Sequence, residues 1–384
     1  MISIALYRRA VIVFIAMSLC ASATRILLAQ TPTWSITQRS AAVAEPFDNP
    51  VGAIELSDGR LILLDAGSFF VIDLLKGTRQ QIGRIGDGPG EYRAPYRIFA
   101  LPGDTVAYLD FARPRSIFFI VPPGEFRGGI ASPVKLNPER VDRRGRFYST
   151  QPRNGSAIIE DSANIVRWDP SKGTFDIIGL LRTLMDSRSL SLTQQKAGGI
   201  TYAPPFASWD QWAVAQDATV AIVSIEPYQV IYLKPGNIIR GPPLPVDPVR
   251  LTDAHRREWT ERALKPQLAL ISQNGGPLTL QRVPSTREQP DAWPAFLPPF
   301  LPGSVSFAPD GMLWVVRTTP KPSSAQIDVI DRRGTLSGRL LLPVGRRLLC
   351  HGRDSVYLLH VDEDGLQHLE QYRLPPAYAR TASQ

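Results

Sequence analysis

The sequence has little cysteine, with only Cys20 and Cys350 among 384 residues. Cys20 lies within a predicted export signal, so only Cys350 remains after cleavage and no intrachain disulfide can form. Stability must therefore come from packing. Cys350 follows Leu348 and Leu349, and we expect it to be a small core residue and not a nucleophile.

Motifs that carry chemistry are also missing. The chain has no G-x-S-x-G, no H-E-x-x-H, no phosphate-binding loop and no cysteine and histidine spacing typical of a metal site. Its four histidines, His255, His351, His360 and His368, are spaced too loosely to specify a metal. The acidic residues 362–364 lack the ligand alternation of an EF-hand and predict a solvated turn. We expect no cofactor, with a divalent metal such as Ca²⁺ or Zn²⁺ as the alternative.

No apolar run reaches the ~20 residues that a membrane-spanning helix needs. The run from Ala10 to Cys20 follows Arg8 and Arg9 and precedes small residues that end at Ala23. This pattern predicts a signal peptide over 1–29, cleaved after Ala23 or Ala29, and no transmembrane segment afterwards. We therefore expect an exported bacterial protein, periplasmic or extracellular.

Charge is sparse, at 20% of the residues, and the net charge of +8 comes from scattered single or paired basic side chains. No basic run has the length expected of a nucleic-acid interface, so nucleic acid is excluded as a partner. The expected partner is an unknown protein or a small polar ligand, and we expect a monomer.

Turn-forming residues are abundant, with 35 prolines and 29 glycines, which favours many short strands. A unit of turn, apolar strand, turn and second strand occurs six times, with equivalent positions at residues 60, 105, 146, 219, 312 and 355. Three of the five intervals match one four-stranded blade of about 40–50 residues. The fold class predicted is all-β, a six-bladed β-propeller over 30–376 followed by a tail over 377–384. A β-sandwich, or two in tandem, is the alternative.

The chain must also close the ring and accommodate two insertions. The strand-like segment Thr33–Thr37 is predicted to complete the last blade. The insertions are Leu180–Ser208 and Val246–Pro302, the second lying between blades four and five and containing a helix. Thr252 or Asp253 can cap this helix, and its inner face would carry the residues Trp259, Ala263 and Leu264. We interpret the second insertion as a flap across the propeller, or alternatively as a lid over a pocket.

A glycine-rich segment joins the first two blades, and its glycines permit a tight crossing while its aromatic residue can fill the gap between blades. The residues of this inter-blade motif are Gly83, Gly86, Gly88, Pro89, Gly90, Tyr92 and Pro95. The segment resembles the signature of NHL-repeat propellers. The chain after the signal resembles exported bacterial six-bladed β-propeller proteins related to NHL-repeat and TolB-like propellers. This resemblance implies the fold, and as an alternative function a metal-dependent hydrolase or lyase, like the six-bladed lactonases and peptidyl-hydroxyglycine lyases.

In each of the six repeats, the apolar strand ends at a polar residue. This residue lies five positions after the equivalent position given above, for example at residue 65 for the repeat aligned at residue 60. The six residues are Asp65, Asp110, Gln151, Ser224, Arg317 and His360. Polar residues commonly begin turns, which is the simpler interpretation. The alternative is a ring around the channel mouth that holds a polar or anionic organic ligand, with the second insertion nearby. The function predicted is an exported noncatalytic propeller acting as a ligand-binding or protein-interaction scaffold, with no catalytic and no metal-binding residue assigned.

Overall fold

The strands of this chain are formed by short apolar runs, and turns rich in glycine and proline separate one strand from the next. The computed structural model describes residues 31–121, 124–133, 136–153, 162–183, 195–197, 200–202, 204–265, 267–271, 279–285, 290 and 292–382. Its strands and helices belong to one compact unit, Thr33–Gln384. The predicted signal peptide over 1–29 lies outside the described residues.

The first half of the described chain contains eighteen strands. They are β1 (Thr33–Ser35), β2 (Arg39–Ala42), β3 (Pro50–Glu55), β4 (Leu61–Asp65), β5 (Ser68–Asp73), β6 (Thr78–Ile82), β7 (Arg84–Ile85), β8 (Glu91–Tyr92), β9 (Pro95–Leu101), β10 (Thr105–Asp110), β11 (Ser116–Val121), β12 (Glu125–Ala131), β13 (Arg140–Val141), β14 (Phe147–Pro152), β15 (Ser162–Asp169), β16 (Thr174–Arg182), β17 (Gln195–Ala197) and β18 (Ile200–Tyr202).

The second half contains fifteen strands and two helices. They are β19 (Gln211–Val214), β20 (Val220–Ile225), β21 (Tyr228–Lys234), β22 (Asn237–Arg240), β23 (Val249–Arg250), α1 (Asp253–Leu264), β24 (Gln267–Ile271), β25 (Thr279–Val283), β26 (Phe296–Leu297), β27 (Phe300–Phe307), β28 (Leu313–Arg317), β29 (Gln326–Ile330), β30 (Leu336–Leu341), β31 (Arg346–His351), β32 (Ser355–Val361), β33 (Gln367–Arg373) and α2 (Pro376–Ala382). Neither helix, within the described residues, is long and apolar enough to cross a membrane.

Six of the sheets are the blades of a propeller, and the prediction of a six-bladed propeller is confirmed. Blades one to four are β3–β6, β9–β12, β13–β16 and β19–β22, each an antiparallel meander. Blade five contains β27–β30, and blade six contains β31–β33. Each of the six predicted repeats begins within a residue of the second strand of its blade, so the sequence periodicity and the blade periodicity coincide.

The core of the propeller lies between neighbouring blades. Leu61 and Leu63 of β4 pack in one cluster with Leu359 of blade six, and the intervening Ile62 and Leu64 pack in another with blade two. Because successive side chains of a strand point to opposite faces, a strand buried on both faces must be apolar throughout. This requirement explains the continuous apolar runs by which the repeats were found.

The ring is closed by a different segment from the one predicted. Thr33–Ser35 does not complete the last blade but pairs in parallel with β30 as a fifth strand of blade five. The closing strand of blade six is β2, which pairs antiparallel with β33. Trp34 and Ile36 pack in the apolar cluster between blades five and six. The small side chains of β2 give it no strand-like pattern, so the sequence did not reveal its role.

Both insertions connect the outer strand of one blade to the inner strand of the next. The second insertion contains α1, as predicted, and Thr252 is the N-cap, with its hydroxyl accepting from the His255 amide. Trp259 and Ala263 are buried as expected, whereas Leu264 at the end of the helix is 37% exposed. The hairpin of β24 and β25, and the C-terminal helix α2 with its buried Tyr378, have no counterpart in the sequence predictions.

The glycine-rich crossing between blades one and two contains β7 and β8, which pair in parallel. Gly83 and Gly90 have positive φ angles of 65° and 76°, a conformation that side chains disfavour. Tyr92 is fully buried, and its ring lies 5.2 Å from that of Phe69 in the cluster shared by the two blades. Gly86 and Gly88 do not have positive φ, and the carboxylate of Glu91 lies beside both of them.

Candidate functional site

The six polar residues predicted as a ring all lie at the same end of the second strand of their blades. Asp65, Asp110 and Arg317 are the last residues of β4, β10 and β28. Gln151, Ser224 and His360 are the residues before the last in β14, β20 and β32. Because all six blades have the same strand order, these strand ends share one face of the propeller, and both insertions connect blades at that face.

The two acidic members of the ring bind the backbone of their own blade. Asp65 accepts hydrogen bonds from the amides of Asp48 and Asn49, at 3.2 and 2.6 Å. Asp110 likewise accepts from the amides of Arg93 and Ala94, at 2.8 and 3.0 Å. Each carboxylate therefore holds the segment that enters the innermost strand, and both are about 2% exposed. Burial raises the pKa of Asp65 against the opposing effect of those amide bonds.

Arg317 also holds the segment that enters the innermost strand, in blade five, but it donates a hydrogen bond to the backbone where the two aspartates accept one. Its Nε donates to the carbonyl of Pro299, directly before β27, at 2.7 Å. Its Nη1 lies 2.6 Å from Oδ2 of the fully buried Asp328, which also accepts from the hydroxyl of Tyr228 at 3.0 Å. The charge of Arg317 is therefore compensated, and the residue is fixed in place.

The remaining three members are half-buried. The ring of His360 lies 6.4 Å from that of His368, whose Nε2 is 2.8 Å from Oδ2 of Asp362. Among the residues that the structure describes, no group of three or more histidine, cysteine, aspartate or glutamate side chains is placed to hold a metal ion.

A cavity of about 210 Å³ opens on this face between the second insertion and blades five and six. It is surrounded by helix α1, by β26 and β27, by the end of β28 with the loop that follows, by the start of β31, and by Phe206 of the first insertion. The lining residues are Phe206, His255, Glu258, Arg262, Leu297, Leu301, Ser304, Val316, Arg317, Thr318, Thr319, Pro322, Ser324, Ala325, Arg346 and Arg347. Arg317 is thus the predicted ring residue that lines this cavity, whereas Asp110 lines a separate cavity of about 40 Å³. His360 lies opposite Arg346, a lining residue, in the pairing of β31 with β32.

The second insertion is attached to blade five by His255. The backbone amide of Thr252 donates to Nδ1 at 3.2 Å, and Nε2 of the same ring lies 2.9 Å from the carbonyl oxygen of Thr319. The acceptor role of Nδ1 assigns the proton to Nε2, which donates to Thr319. One side chain therefore caps α1 and fixes its start against the loop after β28.

An apolar cluster supports the insertion from above the cavity. Trp259 of α1 packs edge-on against Trp293 at 5.4 Å, and Phe206 from the first insertion lies 6.2 Å from Trp293. Val249, Leu251 and Leu297 complete this cluster. The two insertions meet here, so the roof of the cavity has a small core of its own.

Arginine dominates the charge of the cavity wall. Arg346 is paired with the buried Glu370, with Nε 3.0 Å from Oε2, and Arg39 shares the same carboxylate at 2.9 Å. Burial raises the pKa of Glu370, but its hydrogen bonds from Arg346, Arg39 and Tyr372 prevail and lower it to about 2. Glu370 is therefore a firm counter-ion for Arg346 at neutral pH.

Arg347 has no such counter-ion. Its Nη2 donates to the neutral Oε1 of Gln367 at 2.8 Å, and no carboxylate of the described residues forms an ion pair with it. The side chain of Arg347 is exposed to solvent, but partial loss of hydration beside the cavity lowers its pKa, and repulsion from Arg262 lowers the pKa further. Within the described part of the chain, the carboxylate paired with Arg262 is that of the exposed Glu258, at 3.8 Å.

Sequence reasoning missed Arg347, Arg262 and His255 as members of this site. The pair Arg346-Arg347 at the start of an otherwise apolar inner strand was the available signal, because an inner strand has no need of two adjacent charges. The role of α1 could not be predicted, since only the folded insertion brings Arg262 to the start of β31.

Comparison with known proteins adds little to this geometry. No protein-family model matches the chain, and no curated protein matches its sequence. Among solved structures, a Bacteroides fragilis protein named as exported is 12% identical over 89% of this chain and 99% of its own, with a TM-score of 0.44. A streptogramin B lyase is 11% identical over 88% of each chain, with a TM-score of 0.39. A PQQ-bound aldose sugar dehydrogenase from Streptomyces coelicolor is 11% identical over 88% of this chain and 97% of its own, with a TM-score of 0.41. These values carry no argument about chemistry, which rests on the chain's own residues.

Proposed function

We propose that the protein is an exported, noncatalytic β-propeller that binds a small polar ligand in the cavity beneath the second insertion. The observation that carries this proposal is the cavity itself, which is lined by α1 and by Arg347, an arginine that forms no ion pair with a carboxylate of the described residues. Ligand sites typically combine an apolar wall with a few convergent polar groups, as this cavity does. The N-terminal sequence pattern supports export, and the motif around Tyr92 supports a place among NHL-related propellers.

The polar lining offers both fixed and free groups. Thr318 and Thr319 use their hydroxyls within the protein, bonding the carbonyls of Pro298 and Ser324 respectively. The hydroxyls of Ser304 and Ser324 make no hydrogen bond within the described part of the chain, and both residues line the cavity. The cavity therefore presents hydroxyls that a ligand can use, beside walls that are held rigid.

Isothermal titration calorimetry against a panel of small molecules tests this proposal. The panel contains citrate, glucose 6-phosphate, glucose, CaCl₂ and ZnCl₂, and the blocking variant is Ser304→Trp, which fills the cavity. Ser40→Trp at the outer edge of blade six is the matched control. Binding of a panel member to the parent and to Ser40→Trp, lost in Ser304→Trp, is the expected result. If no panel member binds, or if binding persists in a folded Ser304→Trp protein, the cavity is not the ligand site.

The noncatalytic part of the proposal has its own test. Metal content and hydrolysis of lactones are measured on the purified protein, with and without added Ca²⁺ or Zn²⁺. We expect no turnover that depends on metal. Metal-dependent turnover abolished by chelation would replace the proposal with the lactonase-like alternative.

A further inference from the structure

The unequal charge balance around the cavity indicates the class of ligand that it takes. We count the charged lining residues, the buried carboxylates that pair with them, and the other arginines that pair with those same carboxylates. This set contains six arginines and three carboxylates. The arginines are Arg39, Arg262, Arg317, Arg339, Arg346 and Arg347, and the carboxylates are Glu258, Asp328 and Glu370. Each of the two buried carboxylates is shared by two arginines, which leaves an excess of positive charge.

Each shared carboxylate leaves one positive charge unbalanced inside the blades, and the group of Arg262, Arg347 and Glu258 leaves one more at the cavity wall. Arg317 and Arg346 are held by Asp328 and Glu370 inside the blades, and their side chains are only 6% and 23% exposed. Arg262 and Arg347 line the same cavity from different elements, the last turn of α1 and the start of β31. Two guanidinium groups brought together without a shared carboxylate repel each other, and an anion between them would relieve that repulsion.

The type of cation also limits the ligand. A guanidinium presents a planar fork of N–H donors that matches the two oxygens of a carboxylate or phosphate, and it cannot lose its proton at neutral pH. A divalent cation would be repelled by the same groups. A neutral ligand would use the hydroxyls of Ser304 and Ser324 but leave the charges unsatisfied.

Resting on the proposed binding function, we propose that the ligand is a small organic oxyanion, a carboxylate or a phosphate ester. Its charged group lies between Arg347 and Arg262, and its polar remainder reaches the hydroxyls of Ser304 and Ser324. The helix α1 contributes one of the two cations, so the second insertion takes part in recognition and is more than a cover.

Calorimetric titration with citrate and glucose 6-phosphate, and with glucose as the uncharged counterpart, tests this assignment. We expect both anions to bind at least tenfold more tightly than glucose, and more weakly as NaCl is raised from 50 to 300 mM. Arg347→Gln removes the charge and should weaken anion binding at least tenfold, whereas Arg347→Lys keeps the charge without the fork and should fall between. Arg262→Gln should weaken it by a smaller factor, because Glu258 lies 3.8 Å from Arg262 and already balances part of its charge. Arg240→Gln, an exposed arginine on the outer strand of blade four, is the matched control and should bind like the parent.

The outcomes separate the ligand class from the site. The oxyanion assignment is overturned if glucose binds as tightly as the anions, or if Arg347→Gln binds the anions as the parent does. In either case, loss of binding in Ser304→Trp would still support the cavity as the site. Anion binding that survives Ser304→Trp but is lost in Arg347→Gln supports the oxyanion class but places the anion outside the cavity, and so contradicts the proposed site. Binding of neither class contradicts the proposed function as well.

Discussion

At the residue scale, three of the six polar side chains at the strand ends bind the backbone of their own blade. Asp65 and Asp110 accept amide hydrogen bonds, and Arg317 donates to a carbonyl, so opposite charges fill one structural role. This explains why these three positions share polarity but not chemistry. A sequence can show that the position is polar, but only the fold shows whether an amide or a carbonyl lies opposite.

Gly90 is the residue where backbone conformation should matter most in the crossing between blades one and two. Its φ of 76° is unfavourable for any residue with a Cβ, yet an added Cβ would touch nothing within 4 Å. Gly90→Ala should therefore lower the free energy of unfolding by about 1–2 kcal/mol through backbone strain alone. Urea unfolding measures this cost.

Gly128→Ala is the control for that substitution. Gly128 lies in the outer strand of blade two, has no positive φ, and an added Cβ would also meet open space. We expect its unfolding free energy to stay within about 0.5 kcal/mol of the parent. Equal effects of the two substitutions would show that the positive φ of Gly90 costs nothing.

His351 should make stability depend on pH. Burial lowers the pKa of His351 from 6.5 to about 4, and its Nε2 lies 2.8 Å from Oγ of Ser306 on the neighbouring blade. Between these pH values the unfolded chain takes up a proton that the folded chain does not, so stability falls as the pH falls from about 6.5 to 4. His351→Gln should reduce this slope, as measured by urea unfolding at several pH values. An identical slope in the variant would mean that His351 titrates normally in the folded protein.

At the element scale, the two N-terminal strands serve different blades. The strand β1 adds Trp34 to an aromatic group with Tyr378 of α2, with ring centroids 5.6 Å apart, and β2 supplies the outer strand of blade six. Tyr378 in turn donates to Asp310 and accepts from Trp314 at 3.0 Å. Both ends of the propeller segment are therefore attached near the boundary of blades five and six.

Two deletions distinguish these roles. Removing residues 31–37 takes away β1 and the buried side chains Trp34 and Ile36, which should cost several kcal/mol. Removing residues 31–45 also takes away β2 and the buried Val43, and this opens the ring. We expect the melting temperature to fall for the first deletion and to fall further for the second, as followed by circular dichroism. Equal melting temperatures for the two deletions would contradict closure by β2.

The elements also show where sequence reasoning succeeds and where it fails. The second strands are recognisable because residues such as Leu61–Leu64 are buried on both faces, and Thr252 is recognisable as a cap because of its hydroxyl. The strand β2 is not recognisable because Ser40, Ala41 and Ala42 have no apolar alternation. The helix α2 is not recognisable because, among its described side chains over 376–379, Tyr378 is the one that is buried. Long-range contacts determine both elements, and local sequence does not encode them.

At the scale of the whole molecule, the apolar clusters join each blade to its neighbours. The cluster of Leu61 contains Tyr357 and Leu359 of blade six, and the next contains Tyr108 of blade two. No blade can separate without exposing the apolar faces of two others, so the ring should unfold as one unit. We expect a single calorimetric transition with equal calorimetric and van't Hoff enthalpies. Two resolved transitions would show that some blades unfold independently.

The candidate site is also a property of the whole molecule, because it needs two insertions and two blades at one face. Sequence reasoning predicted this face and the nearby insertion, and named Arg317, which lines the cavity but is already neutralised by Asp328. It did not predict Arg347, because its missing counter-ion is defined only by the folded surroundings.

Crystals soaked with citrate, and separately with glucose 6-phosphate, provide the most direct measurement of the central claim, that the cavity beneath the second insertion binds a ligand. We predict electron density for the ligand within the cavity, with its oxyanion in hydrogen-bonding distance of the Arg347 guanidinium. An empty cavity at saturating ligand concentration, or ligand density on another surface alone, would contradict the claim.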